Sequence, residues 1–292
     1  MIKNDVKTLK VFLYTLIALI AFAGNSVLCR LALGDEAIDA ASFTTIRLLA
    51  GIVMLLAIFS FMNRGKTNTA KGSWKGAFFL FAYAITFSYG YITLETGIGA
   101  LVLFGSVQIS IILINMFKGN KLHAMEWAGT IVAFAGFVYL IFPSLATPSI
   151  VGFGLMTMAG VAWGFYTLAG KGSTNPLGDT TFNFLRTLPF VLLLALVTLS
   201  DASLSSEGIW LAILSGALAS GIGYAIWYQA LGYLSAIQAA VVQLLVPVIA
   251  AVGGVVFAGE EITVRLVIAS VVILGGIMIV ITGKKMLERV KQ

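Results

Sequence analysis

Ten apolar runs, separated by short charged or turn-rich breaks, dominate this chain. They cover residues 11–33, 41–62, 77–94, 97–117, 124–142, 151–170, 181–199, 208–228, 236–258 and 265–282. A bilayer core is crossed by about 20 residues of helix at 1.5 Å per residue. Lipid offers no partner to backbone N–H and C=O groups, so each span must be a helix or part of a closed barrel. The runs are about twice the length of a barrel strand and do not alternate apolar with polar, so they predict helices. Composition agrees: 60% of residues are hydrophobic and 10% charged, against about 45–50% and 25% in soluble domains. The expected fold class is therefore an all-α integral membrane protein with ten transmembrane helices. An ordinary soluble enzyme and a disordered chain are excluded.

The charges orient it. With the N-terminus inside, the inner segments collect Lys3, Lys7, Lys10, Arg64, Lys66, Lys71, Lys75, Lys118, Lys121, Lys171, Lys284, Lys285, Arg289 and Lys291. Those are fourteen of the 18 basic residues, and the outer loops hold none; the other four, Arg30, Arg47, Arg186 and Arg265, lie in spans. Outer segments carry Asp35, Glu36, Asp39, Glu95, Asp201, Glu207, Glu260 and Glu261. So one-sided a split is the positive-inside signature and predicts both termini in the cytoplasm of the inner (plasma) membrane. The net charge of +6 then reflects an anionic inner leaflet, and no nucleic-acid partner is expected. Lys3 to Ala23 imitates a signal peptide. The run continues to Leu33, and removing it would invert the later charge pattern, so it reads as the first helix.

The two halves match at an offset of 139–140 residues. Phe117-Lys118-Gly119-Asn120-Lys121 aligns with Phe257-Ala258-Gly259-Glu260-Glu261, and Ser42 to Arg47 aligns with Thr181 to Arg186. Gly24, Ala100 and Gly136 meet Gly164, Ala240 and Gly276. Each copy holds five helices, residues 11–143 and 151–282, which together make one membrane domain. Five is odd, so the second copy enters from the opposite side. Inverted repeats are a recurring plan of secondary transporters, with substrate near the midplane between them.

These features resemble the EamA-type unit of the drug/metabolite transporter superfamily over nearly the whole chain. The residues carrying the resemblance are Ala23-Gly24-Asn25-Ser26 and Ala162-Trp163-Gly164, Arg47 and Arg186, the stretch from Tyr228 through Gln243 to Pro247, and Gly259-Glu260. The first copy departs from the pattern: Asn120 stands where the second has Glu260, Val107 stands where it has Pro247, and Glu95 is unusual. The resemblance implies a 5+5 inverted-repeat carrier of small metabolites, often an exporter of amino acids or related compounds.

The spans hold no acid at mid-depth, which argues against a buried proton relay and against cationic substrates. Amides and amphipathic rings suit a neutral or zwitterionic solute, offering donors, acceptors and apolar faces. Asn25, Tyr83, Gln108, Trp163, Tyr166, Tyr224 and Gln243 fall nearest mid-span and are the expected substrate-binding residues. Arg47 and Arg186, about six residues inside opposite faces, read as structural charges anchoring the second helix of each copy. A carboxylate-binding role is the alternative. Glu95 is read as a gating or coupling candidate or a solvated turn acid, and Pro247 as a break that could hinge the ninth helix.

One cysteine, Cys29, and one histidine, His123, leave no disulfide framework and no paired-ligand metal site. Gly97-Ile98-Gly99 and Gly221-Ile222-Gly223 lack the third glycine and strand context of a dinucleotide fingerprint. No cofactor is expected. An intramembrane protease fails for want of a span Asp, and Ser106 with His123 is no dyad, since about 17 residues of helix separate them. A channel and a non-transporting scaffold are the other readings. The expected partners are the bilayer and a small-molecule substrate. Oligomeric state is open, one chain sufficing for the site.

Overall fold

A computed structural model describes residues 2–62, 72–117, 124–141, 149–170, 173–231, 233–234 and 242–290. The helices are α1 (Ile2–Gly34), α2 (Ala40–Met62), α3 (Trp74–Tyr91), α4 (Thr96–Phe117), α5 (Ala124–Ile141) and α6 (Ile150–Ala169). There follow α7 (Pro176–Arg186), α8 (Leu188–Val197), α9 (Ser206–Leu214), a π-helical segment (Ser215–Ile222), α10 (Gly223–Leu231), α11 (Val246–Ala258) and α12 (Val264–Val290). Only an isolated bridge, Ile38 with Leu204, interrupts this helical pattern among the described residues. Among the described residues, six segments are long and apolar enough to cross a membrane: Leu9–Gly34, Ala40–Met62, Thr96–Ile114, Ile150–Ala169, Pro176–Val197 and Ser206–Trp227. His123 and the Gly119-Asn120-Lys121 stretch lie outside the described residues.

Local chemistry explains the boundaries. Ser73, Ser149, Asn175 and Ser205 each accept a hydrogen bond from the N–H of the glycine three residues on, capping α3, α6, α7 and α9. Pro176, Pro189 and Pro247 sit in the first turns of α7, α8 and α11, where a missing N–H leaves no bond unmade. Residues 181–199 were expected as one helix. The chain instead breaks at Thr187, because Pro189 cannot donate to the preceding turn. The eighth run also differs, its middle turns being π-wound. Gly259 ends α11 with φ 63°, a left-handed cap that glycine adopts without strain.

Small residues set the packing. A Cβ on Gly129 would lie 2.5 Å from the Gly276 carbonyl oxygen, and one on Gly276 2.5 Å from the Ala133 nitrogen, so α5 and α12 meet backbone to backbone. Gly160 of α6 lies against Ser106 and the Leu103 carbonyl of α4 in the same way. The α3 helix packs along α6, and α9, the π segment and α10 pack along α1. Helix α4 also lies on α6, α11 on α1, and α4 on α11. The outer surface is apolar, with Leu192, Leu193, Leu196, Val252, Val256, Ile131 and Phe134 all exposed, as a lipid-facing surface requires.

Two cross-chain clasps close opposite ends of the bundle. At one end the Asp39 carboxylate accepts the N–H groups of Ser42 and Ser203, both at 2.9 Å, and Ser205 N–H donates to the Ala37 carbonyl at 3.1 Å. At the other, the Asp179 carboxylate accepts Gly72 N–H at 3.1 Å while the Asn183 side-chain oxygen accepts Ser73 N–H at 2.6 Å. Asp39 and Asp179 are 140 residues apart, the offset of the sequence match.

Candidate substrate site

Every fourth residue of α3 from Phe79 to Tyr91 is aromatic: Phe79, Tyr83, Phe87 and Tyr91. That spacing places them on one helical face. Arg47, seven residues into α2, lies over this face, with its guanidinium 5.4 Å from the Tyr83 ring centroid and 4.8 Å from that of Phe87. Its Nη2 donates to the Tyr83 hydroxyl at 3.2 Å, whereas Nη1 is buried without a hydrogen-bond partner. Arg47 is 2% exposed.

Trp163 of α6 extends the cluster. Its ring lies 4.8 Å from Tyr83, 5.3 Å from Tyr166 and 5.3 Å from Tyr224. Phe22 of α1 and Phe184 of α7 pack edge-on to Tyr224 at 5.8 and 6.0 Å. Tyr166 donates to Thr180 at 3.5 Å. Asn25 enters through its side-chain oxygen, which accepts the Ser215 hydroxyl at 2.6 Å. The next residue, Gly216, presses on α2 so closely that a Cβ there would overlap the Arg47 carbonyl oxygen. Thr44 and Ser88 bridge α2 to α3 at 2.8 Å, beside the buried Cys29.

Of the seven expected binding residues, Tyr83, Trp163, Tyr166 and Tyr224 form one ring cluster, and Asn25 reaches its Arg47 side through Ser215. Gln108 and Gln243 are half-buried, and among the described residues no hydrogen bond joins either to the cluster. Arg47 and Arg186 match in sequence but differ in surroundings. Arg186 is half-buried, 5.9 Å from the Trp74 ring, and reaches the Phe182 carbonyl at 3.5 Å. Pro247 lies in the first turn of α11 behind an interruption at Leu244-Leu245, so the ninth run is broken before it rather than kinked at mid-helix. Phe22, Phe87, Thr44, Ser88 and Ser215 also belong to the cluster or its supports and were not anticipated. The fourth-residue aromatic spacing was a readable signal for Phe87.

At the end bearing Asp39, a second set of charges ties four helices together. Glu260, just past α11, accepts Thr96 N–H at 2.8 and 2.9 Å through its two oxygens and the Thr96 hydroxyl at 3.0 Å. Arg30 of α1 meets the Glu260 carboxylate at 3.3 Å and donates to the carbonyls of Tyr91 and Ile92 at 3.2 and 3.3 Å. Glu95, one residue before α4, has its carboxyl pushed above the usual range, first by burial and then by the charge of Glu260, with Arg30 opposing. Asp39 is held below the usual range: burial opposes this, but the bonds from Ser42 and Ser203 prevail.

A family model described as the EamA-like transporter family matches residues 150–282. The chain belongs to the EamA-like transporter family. Uncharacterized protein PA1977 of Pseudomonas aeruginosa is 46% identical over 275 residues, covering 94% of this chain and 96% of that protein. An uncharacterized transporter of Archaeoglobus fulgidus is 28% identical over 213 residues, 70% of this chain and 75% of that one. One crystal structure, 20% identical, aligns with a TM-score of 0.61 over 93% of this chain and 98% of its own, and shares the fold. Membership, the apolar helices and the apolar exterior make this a multi-pass membrane protein.

Proposed function

We propose that this member of the EamA-like family is a secondary transporter that exports small neutral or zwitterionic metabolites, such as amino acids, by alternating access around the Tyr83–Trp163–Tyr224 cluster. One observation carries the reading: the cluster draws rings from α1 and α3 of the first half and from α6, α7 and α10 of the second. A site built between two halves changes its exposure when the halves rock, which a carrier needs. In this reading all ten runs span the inner membrane as two inverted five-helix repeats, 11–143 and 151–282, with both termini cytoplasmic.

The paired packing of α3 on α6 and of α9–α10 on α1 supports the repeat. So does the reciprocal placement of Asp39 and Asp179, each reaching the N-terminal side of the other half's third helix. Opening one end breaks one clasp and leaves the other intact, so the two work in turn. Asn25, Tyr83, Trp163, Tyr166 and Tyr224 contact substrate, Gln108 and Gln243 line its path, and Glu95 and Pro247 act at the gates.

The test is uptake into proteoliposomes of a radiolabelled panel of amino acids, sugars and organic cations, with and without a pH gradient. Saturable flux of a neutral amino acid is expected. Tyr224→Phe removes one hydroxyl and should lower kcat/KM about fivefold, the equivalent of roughly 1 kcal/mol. Gln108→Ala should lower it as well, with protein yield unchanged. Cation flux alone would overturn the substrate class. No flux from folded protein would overturn the transporter reading.

A further inference from the structure

Arg47 is a full positive charge buried inside an apolar bundle, two turns into α2, and the groups around it are Tyr83, Phe87, Cys29 and Tyr224. None is a carboxylate. The ion pair recorded among the described residues, Arg30 with Glu260, lies at the Asp39 end of the bundle and not at this site. Neutral hydroxyl and ring contacts from Tyr83 and Phe87 satisfy one side of the guanidinium, and Nη1 is left with nothing to donate to. A guanidinium is a planar fork made for bidentate recognition of an oxyanion, and burying one without an acceptor is strongly unfavourable. A residue whose task was to anchor α2 would reach the surface, as a long side chain can, or would meet an acid. Arg47 does neither.

We propose that Arg47 is the substrate-recognition group of this carrier and that it binds a carboxylate through Nη1. The inference rests on the transport reading and names the ligand class. Charge matching sets the stoichiometry: Arg47 is the one cation of the cluster among the described residues, so a monoanionic group neutralises it, whereas a phosphate dianion would leave a buried excess of negative charge. The rings of Tyr83, Trp163 and Tyr224 accept the remainder of the solute, whether an aliphatic body or the ammonium of a zwitterion, whose positive charge favours aromatic faces. The carboxylate is thus the shared chemistry, and the amino group is optional.

Four probes separate the possibilities on the purified full-length protein: L-leucine, 4-methylpentanoate (the same body without the amino group), L-leucinamide (the same body without the carboxylate) and inorganic phosphate. Thermal stabilisation and direct calorimetric binding should be found with leucine, 4-methylpentanoate or both, and at least tenfold weaker with leucinamide. Leucine without 4-methylpentanoate keeps the site within the zwitterionic class proposed above, whereas binding of 4-methylpentanoate sustains the role of Arg47 and overturns that class in favour of monocarboxylate anions. Equal binding of leucinamide, binding of phosphate alone, or no binding of either carboxylate overturns the proposal.

Arg47→Met then asks whether the residue is structural. Removing an uncompensated charge should leave the melting temperature of the ligand-free protein equal or higher while abolishing the carboxylate response. Arg47→Lys should restore part of it. A large fall in melting temperature or loss of folding in Arg47→Met would assign Arg47 to structure and overturn the proposal, and the wild-type panel tests carboxylate binding itself without either variant. Carboxylate binding without flux would sustain the site and refute transport. Flux of uncharged solutes without carboxylate binding would do the reverse.

Discussion

Replacing Glu260 with alanine removes the cap of α4 and the anionic partner of Arg30 in one step. The carboxylate takes Thr96 N–H at 2.8 and 2.9 Å, the Thr96 hydroxyl at 3.0 Å and Arg30 at 3.3 Å. An N-cap is worth about 1 kcal/mol, and a hydrogen bond to a charged group about 1.5–3 kcal/mol. The side chains of Arg30 and Glu260 are 24% and 9% exposed, so screening by water is partial. Arg30 keeps the Tyr91 and Ile92 carbonyls when Glu260 is lost, which moderates the penalty. The expected loss is about 3 kcal/mol. At about 2 °C per kcal/mol for a chain of this size, the unfolding midpoint in detergent should fall by about 6 °C. Glu260→Gln keeps an acceptor for Thr96 and should lose about half as much. A double-mutant cycle of Glu260→Gln with Arg30→Gln isolates the ion pair, with an expected coupling of about 1 kcal/mol. Coupling below about 0.3 kcal/mol, with a full-sized loss in the single Glu260 variant, would assign the effect wholly to the α4 cap and refute the ion-pair part of the reasoning.

Gly216→Ala places a methyl group on the Arg47 carbonyl oxygen and near Ala50, and should cost about 1–3 kcal/mol, read as a lower unfolding midpoint at equal expression. Asp39 contributes stability above its usual pKa of 3.8, and that contribution is lost as pH falls through the lowered folded value; Asp39→Asn should therefore be less stable at pH 7, with the gap closing below about pH 3.8 in thermal scans. Glu95 has the opposite sign: its carboxyl is raised above 4.5, so its ionisation opposes the folded state as pH rises through that value. Glu95→Gln should match the parent near pH 4.5 and be more stable at pH 7.5, and identical pH profiles would remove Glu95 from this cluster's electrostatics.

The helices were legible because lipid leaves a chain few options: length and continuous apolarity set the α2, α4 and α6 limits to within a residue or two. The break at Thr187 was missed, residues 181–199 having been read as one helix, although Pro189 carried its signal. The π-wound turns of Ser215–Ile222 carried no such signal, since Ser, Gly and Ala accept several helical pitches and the contact with α2 selects among them. Arg47 shows a different limit. Counting residues gives depth along a helix axis, about six from the end, but not the direction in which the side chain leaves it. The face of α2 that carries Arg47 meets α3 and the π segment, so a residue assigned to an interface is 2% exposed. Tyr83, Trp163, Tyr166 and Tyr224 were read as site neighbours from their mid-span depth, and the packing of α3 on α6, with Tyr224 from α10, brings their rings together, whereas apolar rings such as Phe134 face outward. The clasps at Asp39 and Asp179 were missed because each joins segments more than a hundred residues apart through backbone N–H groups, which carry no signature of residue type.

Where α5 and α12 touch through Gly129, Ala133 and Gly276, no side chain stands between the two backbones. Close approach at these residues is set by backbone atoms, with the side chains of Val280 and, at Gly136, Ile273 packed beside them, so a larger residue at Gly129 or Gly276 would force the two helices apart. The Glu260–Arg30 contact and the aromatic cluster, by contrast, are made of long or planar side chains that can re-aim in place. The contacts of this molecule are therefore of two kinds, backbone against backbone along the α5–α12 seam and re-aimable side chains at the Glu260–Arg30 pair and the ring cluster.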